Sequence, residues 1–216
     1  MTEKIDFIQL QSQYENPHSQ NYKKIQLVNS FIYPDESLLD IGSGTGSFIE
    51  LVHDKFQEIY AIEQDPLALG LLQKKFSSNP KIHIIPQQIV DFFGDKNNKS
   101  RFSTITCLDV LEHLSLEECQ QTIHSLFKIL EPGGLIIISV PGIFEKIRII
   151  LGRSPTHLHS HSSYQWAGFL KDAGYEIVSI QTVEFPFTDH IFLKKHLHLF
   201  GKCCVIVAVK PEAIEP

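Results

Sequence analysis

Cysteine is scarce in this chain: Cys107, Cys119, Cys203 and Cys204 are the four present. No two of them form a C-x-x-C pair, and Cys203 and Cys204 are neighbours in an apolar run. That spacing suits neither a zinc ribbon nor a disulfide framework, and reads as buried thiols in a reducing compartment. Long apolar runs are also missing, and none approaches the roughly 18 residues that a membrane span requires. The opening, MTEKIDFIQLQSQYENPHSQ, is polar and mixed in charge, unlike a secretory signal. Basic residues are in deficit, with 19 Lys and Arg against 25 Asp and Glu and a net charge of −6. Phosphate backbones bind to basic faces, so no nucleic-acid partner is expected. Together these absences lead to the expectation of a cytoplasmic globular protein.

What is present is an ordinary core-forming composition, 43% hydrophobic over 216 residues. That length suits one domain spanning residues 1–216. Short apolar strands are expected at Leu38–Ile41, Glu58–Ile62, Ile82–Ile85, Phe102–Leu108, Leu135–Val140, Tyr175–Val183 and Cys203–Val209. Helical patterns separate most of them, at about Tyr22–Phe31, Ser47–Lys55, Pro66–Phe76, Ser115–Leu130 and Ser163–Ala173. Residues 1–20 read as irregular or partly helical. Asp65 and Pro66 form an N-cap and first-turn pair, and Ser115 with Glu118 forms a capping box. Strands alternating with helices imply an α/β fold, a parallel sheet covered on both faces. The last two strands lack a regular crossover, so a hairpin-like antiparallel end to the sheet is the simplest account.

The first strand runs into Leu38-Leu39-Asp40-Ile41-Gly42-Ser43-Gly44-Thr45-Gly46. In open α/β sheets, ligands bind at the carboxyl ends of strands, and the first strand-to-helix turn is the usual place. Glycines there permit left-handed backbone and close approach of a ligand. Glu63 ends the second strand, where a carboxylate can accept hydrogen bonds from both hydroxyls of a ribose. Asp40 chooses between cofactors. A nicotinamide dinucleotide carries a pyrophosphate, which a neighbouring carboxylate repels, and it favours G-x-G-x-x-G. S-adenosylmethionine carries an ammonium, a ribose and a sulfonium but no phosphate, and suits this turn better.

The ordered motifs resemble those of class I S-adenosylmethionine-dependent methyltransferases, small-molecule and quinone types above all. LLDIGSGTG is similar to their first motif, AIEQDP to the acidic end of their second strand, and FSTITCLDVLEHL to their fourth-strand motif. LEPGGLIIISVPG and AGYEIVSI are similar to the entries of their fifth and sixth strands. The likeness runs from about residue 22 to 210. It implies a Rossmann-like seven-stranded sheet in the order 3-2-1-4-5-7-6 with strand 7 antiparallel, and helices on both faces. It implies S-adenosyl-L-methionine as cofactor and S-adenosyl-L-homocysteine as product. By that likeness, Asp40 and the turn of Gly42, Ser43, Gly44 and Gly46 hold the methionine part, and Glu63 holds the ribose. Gln64 lines the adenine, Ile89 stacks near it, and Leu108 and Asp109 lie against the methionine end. Gln88 stands where the family usually has an acidic acceptor for the adenine amino group, and its amide oxygen can accept the same bond.

Methyl transfer needs alignment more than a catalytic side chain. If a base takes part, His113, in DVLEHL, is the leading candidate, balanced against a role in shaping the turn with Glu112. Asp109, Glu112 and His113 have a spacing similar to the E-x-x-E-H metal motif of some quinone and RNA methyltransferases. Many relatives carry LEH without an ion, and no metal is expected. His157, His159 and His161 occupy alternate positions and would share one face if extended. They read as a substrate-side loop, with His159 nearest the pocket. Residues 1–36 read as an N-terminal helical cap, and about 142–162 and 186–202 as substrate-side or lid segments. IFEKIRIILG and IFLKKHLHLFG are apolar with interspersed cations, which suits a lid, a dimer face or a peripheral membrane contact. The expected activity is methyl transfer to a small, lipophilic acceptor, with O-methylation slightly favoured by His113. The alternatives left open are an NAD-dependent oxidoreductase and a cofactor-binding scaffold without activity. A macromolecular substrate is weakened by the acidic balance.

Overall fold

The computed structural model describes residues 7–94, 101–142, 149–152, 156–183 and 203–212. Much of the two expected lid segments, including IFLKKHLHLFG, lies outside the described residues. The elements run α1 (Phe7–Glu15), α2 (Gln20–Asn29), β1 (Asp35–Ile41), α3 (Ser47–Val52), β2 (Phe56–Glu63), α4 (Pro66–Phe76), β3 (Ile82–Pro86) and α5 (Ile89–Gly94). They continue through β4 (Phe102–Leu108), α6 (Leu116–Ile129), β5 (Leu130–Pro141), α7 (Ser163–Asp172), β6 (Glu176–Val183) and β7 (Cys203–Val209). Single 3-10 turns cover His53–Lys55 and Leu111–His113.

The strands form one seven-stranded sheet in the order β3-β2-β1-β4-β5-β7-β6. β1 pairs in parallel with β2 and β4, β2 with β3, and β4 with β5. β7 runs antiparallel to both β5 and β6, as the missing crossover implied. Strand order reverses beside β1, which places its carboxyl end in the crevice where such sheets bind ligands.

Alternating side chains feed two cores, one on each face. Leu39, Ile41, Ile105, Ile136 and Ile138 pack against Phe92 of α5, Ile123 and Leu126 of α6, and Trp166 and Leu170 of α7. Leu38, Ile59, Ile137 and Val205 pack against Val28 of α2, Ile49 of α3 and Leu72 of α4. Helix starts are set by side chains. Asp65 accepts from the Leu67 and Ala68 N–H groups at 2.8 and 3.1 Å, and Pro66 opens α4. Ser115 and Glu118 close a reciprocal capping box on α6, and Ser162 and Gln165 close another on α7.

Several boundaries differ from the sequence reading. β1 begins at Asp35, because Asp35–Ser37 pair with Phe56–Glu58 instead of forming a free turn. The segment before residue 20 holds a regular helix, α1. α5 was absent from the reading, and it is only six residues long. β5 begins at Leu130 because Leu130 pairs with Phe102 before a register shift, and Gly133 and Gly134 exchange backbone bonds with Lys210 at 2.8 and 3.0 Å.

Candidate active site

Asp40 sits in the middle of the sheet, 2% exposed. It is level with Thr106 of β4, whose hydroxyl donates to Oδ1 at 2.6 Å. Burial pushes its pKa up to about 6, against the lowering effect of hydrogen bonds from Thr106 and Ser43; the charge of Glu63 adds to the rise. A carboxylate so placed is stabilised by a cation.

The chain leaves β1 through a tight turn. The Gly42 and Ser43 N–H groups both donate to the Ile62 carbonyl, at 2.9 and 3.0 Å, which ties the turn to β2. Gly42, Gly44 and Gly46 all have positive φ, at 70°, 54° and 77°. They serve different ends. A Cβ on Gly42 would lie 2.4 Å from Cγ2 of Val110, and one on Gly46 would lie 2.5 Å from the Phe76 ring. A Cβ on Gly44 would meet nothing within 4 Å. Two glycines therefore admit neighbouring side chains, and the third presents bare backbone to open space.

Glu63 ends β2 across from this turn. One carboxylate oxygen accepts from Gly44 N–H at 2.7 Å, and the other from Gln64 and Asp65 N–H at 2.8 Å each. The bond to Gly44 joins the two strand tips. Three of the carboxylate's roughly four acceptor sites are thereby taken, which leaves the oxygen bonded to Gly44 able to accept from a hydroxyl.

Asp40, Gly42, Ser43 and Leu108 line one cleft with Tyr14, Ile25 and Phe48. A donor with an ammonium and a ribose fits these residues. Asp40 offers this cleft an anion, whereas Glu63 and Gly44, bonded to each other, do not line it and belong to the neighbouring tip of β2 and the turn.

The remaining expected site residues divide. Gln64 and Gln88 are exposed. The Gln88 carbonyl receives the Asp91 and Phe92 N–H groups at 3.2 Å each and so starts α5. Ile89 is 7% exposed and packs in the core with Phe92, which leaves little of its side chain to stack on a base. Asp109 has φ 56°, the one non-glycine residue with positive φ among the described residues. Its carboxylate accepts from Ser139 Oγ at 2.7 Å and pairs with the Lys24 ammonium. Its partners are thus the cap helix and β5, whereas the sequence placed it against the donor.

His113 and His159 do not line the cleft. His113 is exposed, and its Nδ1–H donates to the Thr156 carbonyl at 3.0 Å. Its ring meets His157 edge to face with centroids 4.8 Å apart. Ligand atoms of Glu112, His113 and His157 lie within 4.8 Å of one another. A shared ion at about 2.1 Å from each would need them within about 4.2 Å. The three loop histidines do not share a face. His157 joins His113, while His159 and His161 pack on Trp166 at 5.5 and 5.4 Å. Burial holds the His159 pKa below its ordinary value, against a raising contribution from the Leu114 backbone.

The sequence reading missed Tyr14, Lys24, Thr106 and Ser139. Thr106 and Ser139 could have been found, as polar residues within apolar strands, and Lys24 as a cation on the apolar face of α2.

A methyltransferase-domain family model matches residues 8–180. Over 62 residues the chain is 37% identical to the probable ribosomal RNA small subunit methyltransferase A of Methanococcoides burtonii, covering 29% of this chain and 23% of that protein. It is 27% identical over 103 residues to the ubiquinone biosynthesis O-methyltransferase of Alkalilimnicola ehrlichii, covering 47% and 40%. The chain thus spans less than half the length of these two curated relatives. The N-methyltransferase NodS of Bradyrhizobium japonicum, solved with S-adenosyl-L-homocysteine, shares the fold at a TM-score of 0.68 and 15% identity, covering 89% of this chain and 88% of that one. The match over residues 8–180, joined to the sheet order and the glycine turn between two carboxylates, shows that the chain belongs to the methyltransferase-domain family and is built on the class I S-adenosylmethionine-dependent fold.

Proposed function

We propose that this chain transfers a methyl group from S-adenosyl-L-methionine to a small, lipophilic acceptor, with an acceptor hydroxyl favoured. The observation that carries the reading is the pair of carboxylates, Asp40 and Glu63, near the tips of adjacent strands, with the glycine turn after Asp40 bonded to Glu63 through Gly44 N–H. When bound, the donor supplies a methyl carbon already activated by the sulfonium. Asp40 holds the ammonium end, Glu63 the sugar, and the Gly42–Gly46 turn the chain between them. Fixing the methyl carbon in line with an acceptor is worth about 7–11 kcal/mol in well-oriented systems. Leu108, at the tip of β4, forms part of the wall on that side.

A hydroxyl acceptor must lose a proton as the new bond forms. With its Nδ1–H committed to the Thr156 carbonyl, neutral His113 keeps a lone pair on Nε2, which is the form a base requires. The apolar side chains of Ile150, Leu151, Leu158 and Tyr164, between 54% and 75% exposed, follow β5 in the chain and favour a lipophilic acceptor or a peripheral membrane contact. No helix among the described residues is long and apolar enough to cross a membrane. The proposed reaction uses no metal, and the Glu112–His113–His157 group is the place among the described residues where chelation tests that.

Titration calorimetry with S-adenosyl-L-methionine, S-adenosyl-L-homocysteine and NAD tests the donor. Heat is expected for the first two alone, and its absence for both defeats the reading. A cell extract supplied with methyl-labelled donor then tests the acceptor. Label should enter small, organic-soluble products, survive chelation, and disappear with His113→Ala. Label found in protein or RNA would instead identify a macromolecular acceptor.

A further inference from the structure

Lys24 is 1% exposed, an extreme position for a lysine. It projects from α2, and its ammonium reaches the Asp109 carboxylate just beyond β4, with Asn21 Oδ1 at 3.3 Å and the Tyr14 ring centroid at 5.8 Å. Burial is the largest single influence and would lower its pKa, but the Asp109 charge and hydrogen bond together with Tyr14 and Cys203 hold it above the ordinary lysine value. Asp109 is fixed from the other side as well. Its N–H donates to the Ser139 carbonyl at 3.0 Å, and the Ser139 hydroxyl donates to its carboxylate. The left-handed backbone at Asp109 is therefore held by β5 and by the cap at once.

Tyr14, on α1, stands beside Lys24 and also lines the cleft with Asp40, Gly42 and Leu108. Ile25, the residue after Lys24, lines the same cleft. The N-terminal cap thus forms one wall of the pocket, and its single charged attachment to the strand tips is Lys24 on Asp109 among the described residues. A buried ion pair is a weak source of stability, because desolvation offsets the attraction; its better-attested use is to fix one arrangement against alternatives. An apolar residue at position 24 would bury as well but would leave the cap free to settle in other registers.

We propose that Lys24 is a positioning residue: through Asp109 it fixes the α1–α2 cap in the register that seats Tyr14 and Ile25 against the methionine end of the donor pocket. The proposal rests on the donor reading above. It makes the cap part of the binding site, so a cap held in this register strengthens donor binding, and a cap that has lost it leaves a weaker site on the strand tips alone.

Hydrogen exchange with and without S-adenosyl-L-homocysteine, alongside calorimetry, tests this. In the natural chain the product should protect both the 38–50 segment and the 11–29 cap. In Lys24→Met its affinity should fall tenfold or more. At saturation the 38–50 segment should still be protected, while the cap is not. Lys24→Arg should recover most of the affinity and the cap protection. Affinity within twofold of the natural chain, with the cap still protected, overturns the proposal. Should Lys24→Met fail to fold, Tyr14→Ala carries the test, since it leaves the ion pair in place. Tenfold weaker binding supports the cap wall, and unchanged binding overturns it. No binding by the natural chain at all would instead defeat the donor reading, a separate outcome.

Discussion

On the proposed donor reading, Asp40 serves binding at the expense of folding. Its carboxyl is buried in the sheet and its pKa is raised to about 6 from 3.8. The folded chain therefore holds this proton more tightly than the unfolded chain does. Stability contributed here is present below the ordinary carboxylate range and is lost as pH rises from about 4 to 6. Above that range Asp40 is a buried anion held by Thr106, and on the proposed donor reading a ligand ammonium supplies the missing cation. Asp40→Asn keeps an acceptor for Thr106 and removes the charge. It should stabilise the free protein at pH 7.5 by about 1–3 kcal/mol, seen as a higher Tm. It should also weaken S-adenosyl-L-homocysteine at least tenfold. Product binding by the natural chain should weaken below pH 6 as Asp40 gains its proton. It should weaken again above about 8 as the ligand amine loses one. Calorimetry across that range checks both limbs, and a flat profile would remove Asp40 from the ammonium site.

At the scale of the element, the turn from β1 to α3 separates conformation from contact. Gly42 and Gly44 both have positive φ, but only Gly42 is pressed by a neighbour, Val110. Gly42→Ala carries strained backbone and a side-chain clash, so it should cost about 2–4 kcal/mol of stability. Gly44→Ala carries the backbone term alone, about 1–2 kcal/mol, yet it places a methyl group on the open wall of the turn that bonds Glu63. The order should invert for ligand. Gly44→Ala loses more affinity for S-adenosyl-L-homocysteine, and Gly42→Ala loses more Tm; equal effects on both measures would mean that the open wall faces no ligand. This turn was legible from residues 38–46 because its glycines and Asp40 are local in sequence. The same holds for the helix starts at Asp65, Ser115 and Ser162, whose partners lie within three residues. What the sequence hid was non-local. Lys24 meets Asp109 across 85 positions, and His113 meets the Thr156 carbonyl across 43. Alternation suggested one face for His157, His159 and His161, but Trp166 drew two of the rings and His113 the third. Ile89 joined the core because the helix it opens, too short to show a period, packs on β4 and α6.

At the scale of the molecule, the donor end of the sheet also carries three of the four thiols, at the carboxyl end of β4 and the start of β7. Cys107 lies in β4, Cys119 in α6, and Cys203 and Cys204 in β7, all buried. Burial pushes Cys119 and Cys204 up to about 12 and raises Cys107 and Cys203 as well. Reaction with a thiol reagent at pH 8 then requires the chain to open. β4 is flanked by β1 and β5, so exposing Cys107 breaks the sheet beside the donor site. A ligand at 100 times its Kd stabilises the closed state by about 2.7 kcal/mol, which slows modification through global opening about 100-fold. S-adenosyl-L-homocysteine should slow Cys107 modification by that factor. β7 pairs only with β5 and β6, so it could detach without breaking the β1–β4 pairing, although Cys203 at its start packs with Ile25 and Val28 of the cap. Protection of Cys203 and Cys204 equal to that of Cys107 would mean that the antiparallel end opens with the whole sheet. Modification there that ignores the ligand would mean that it opens alone. Cys107 modification that ignores the ligand would show that the product does not bind across β1 and β4, and mass spectrometry of labelled peptides tells the three outcomes apart.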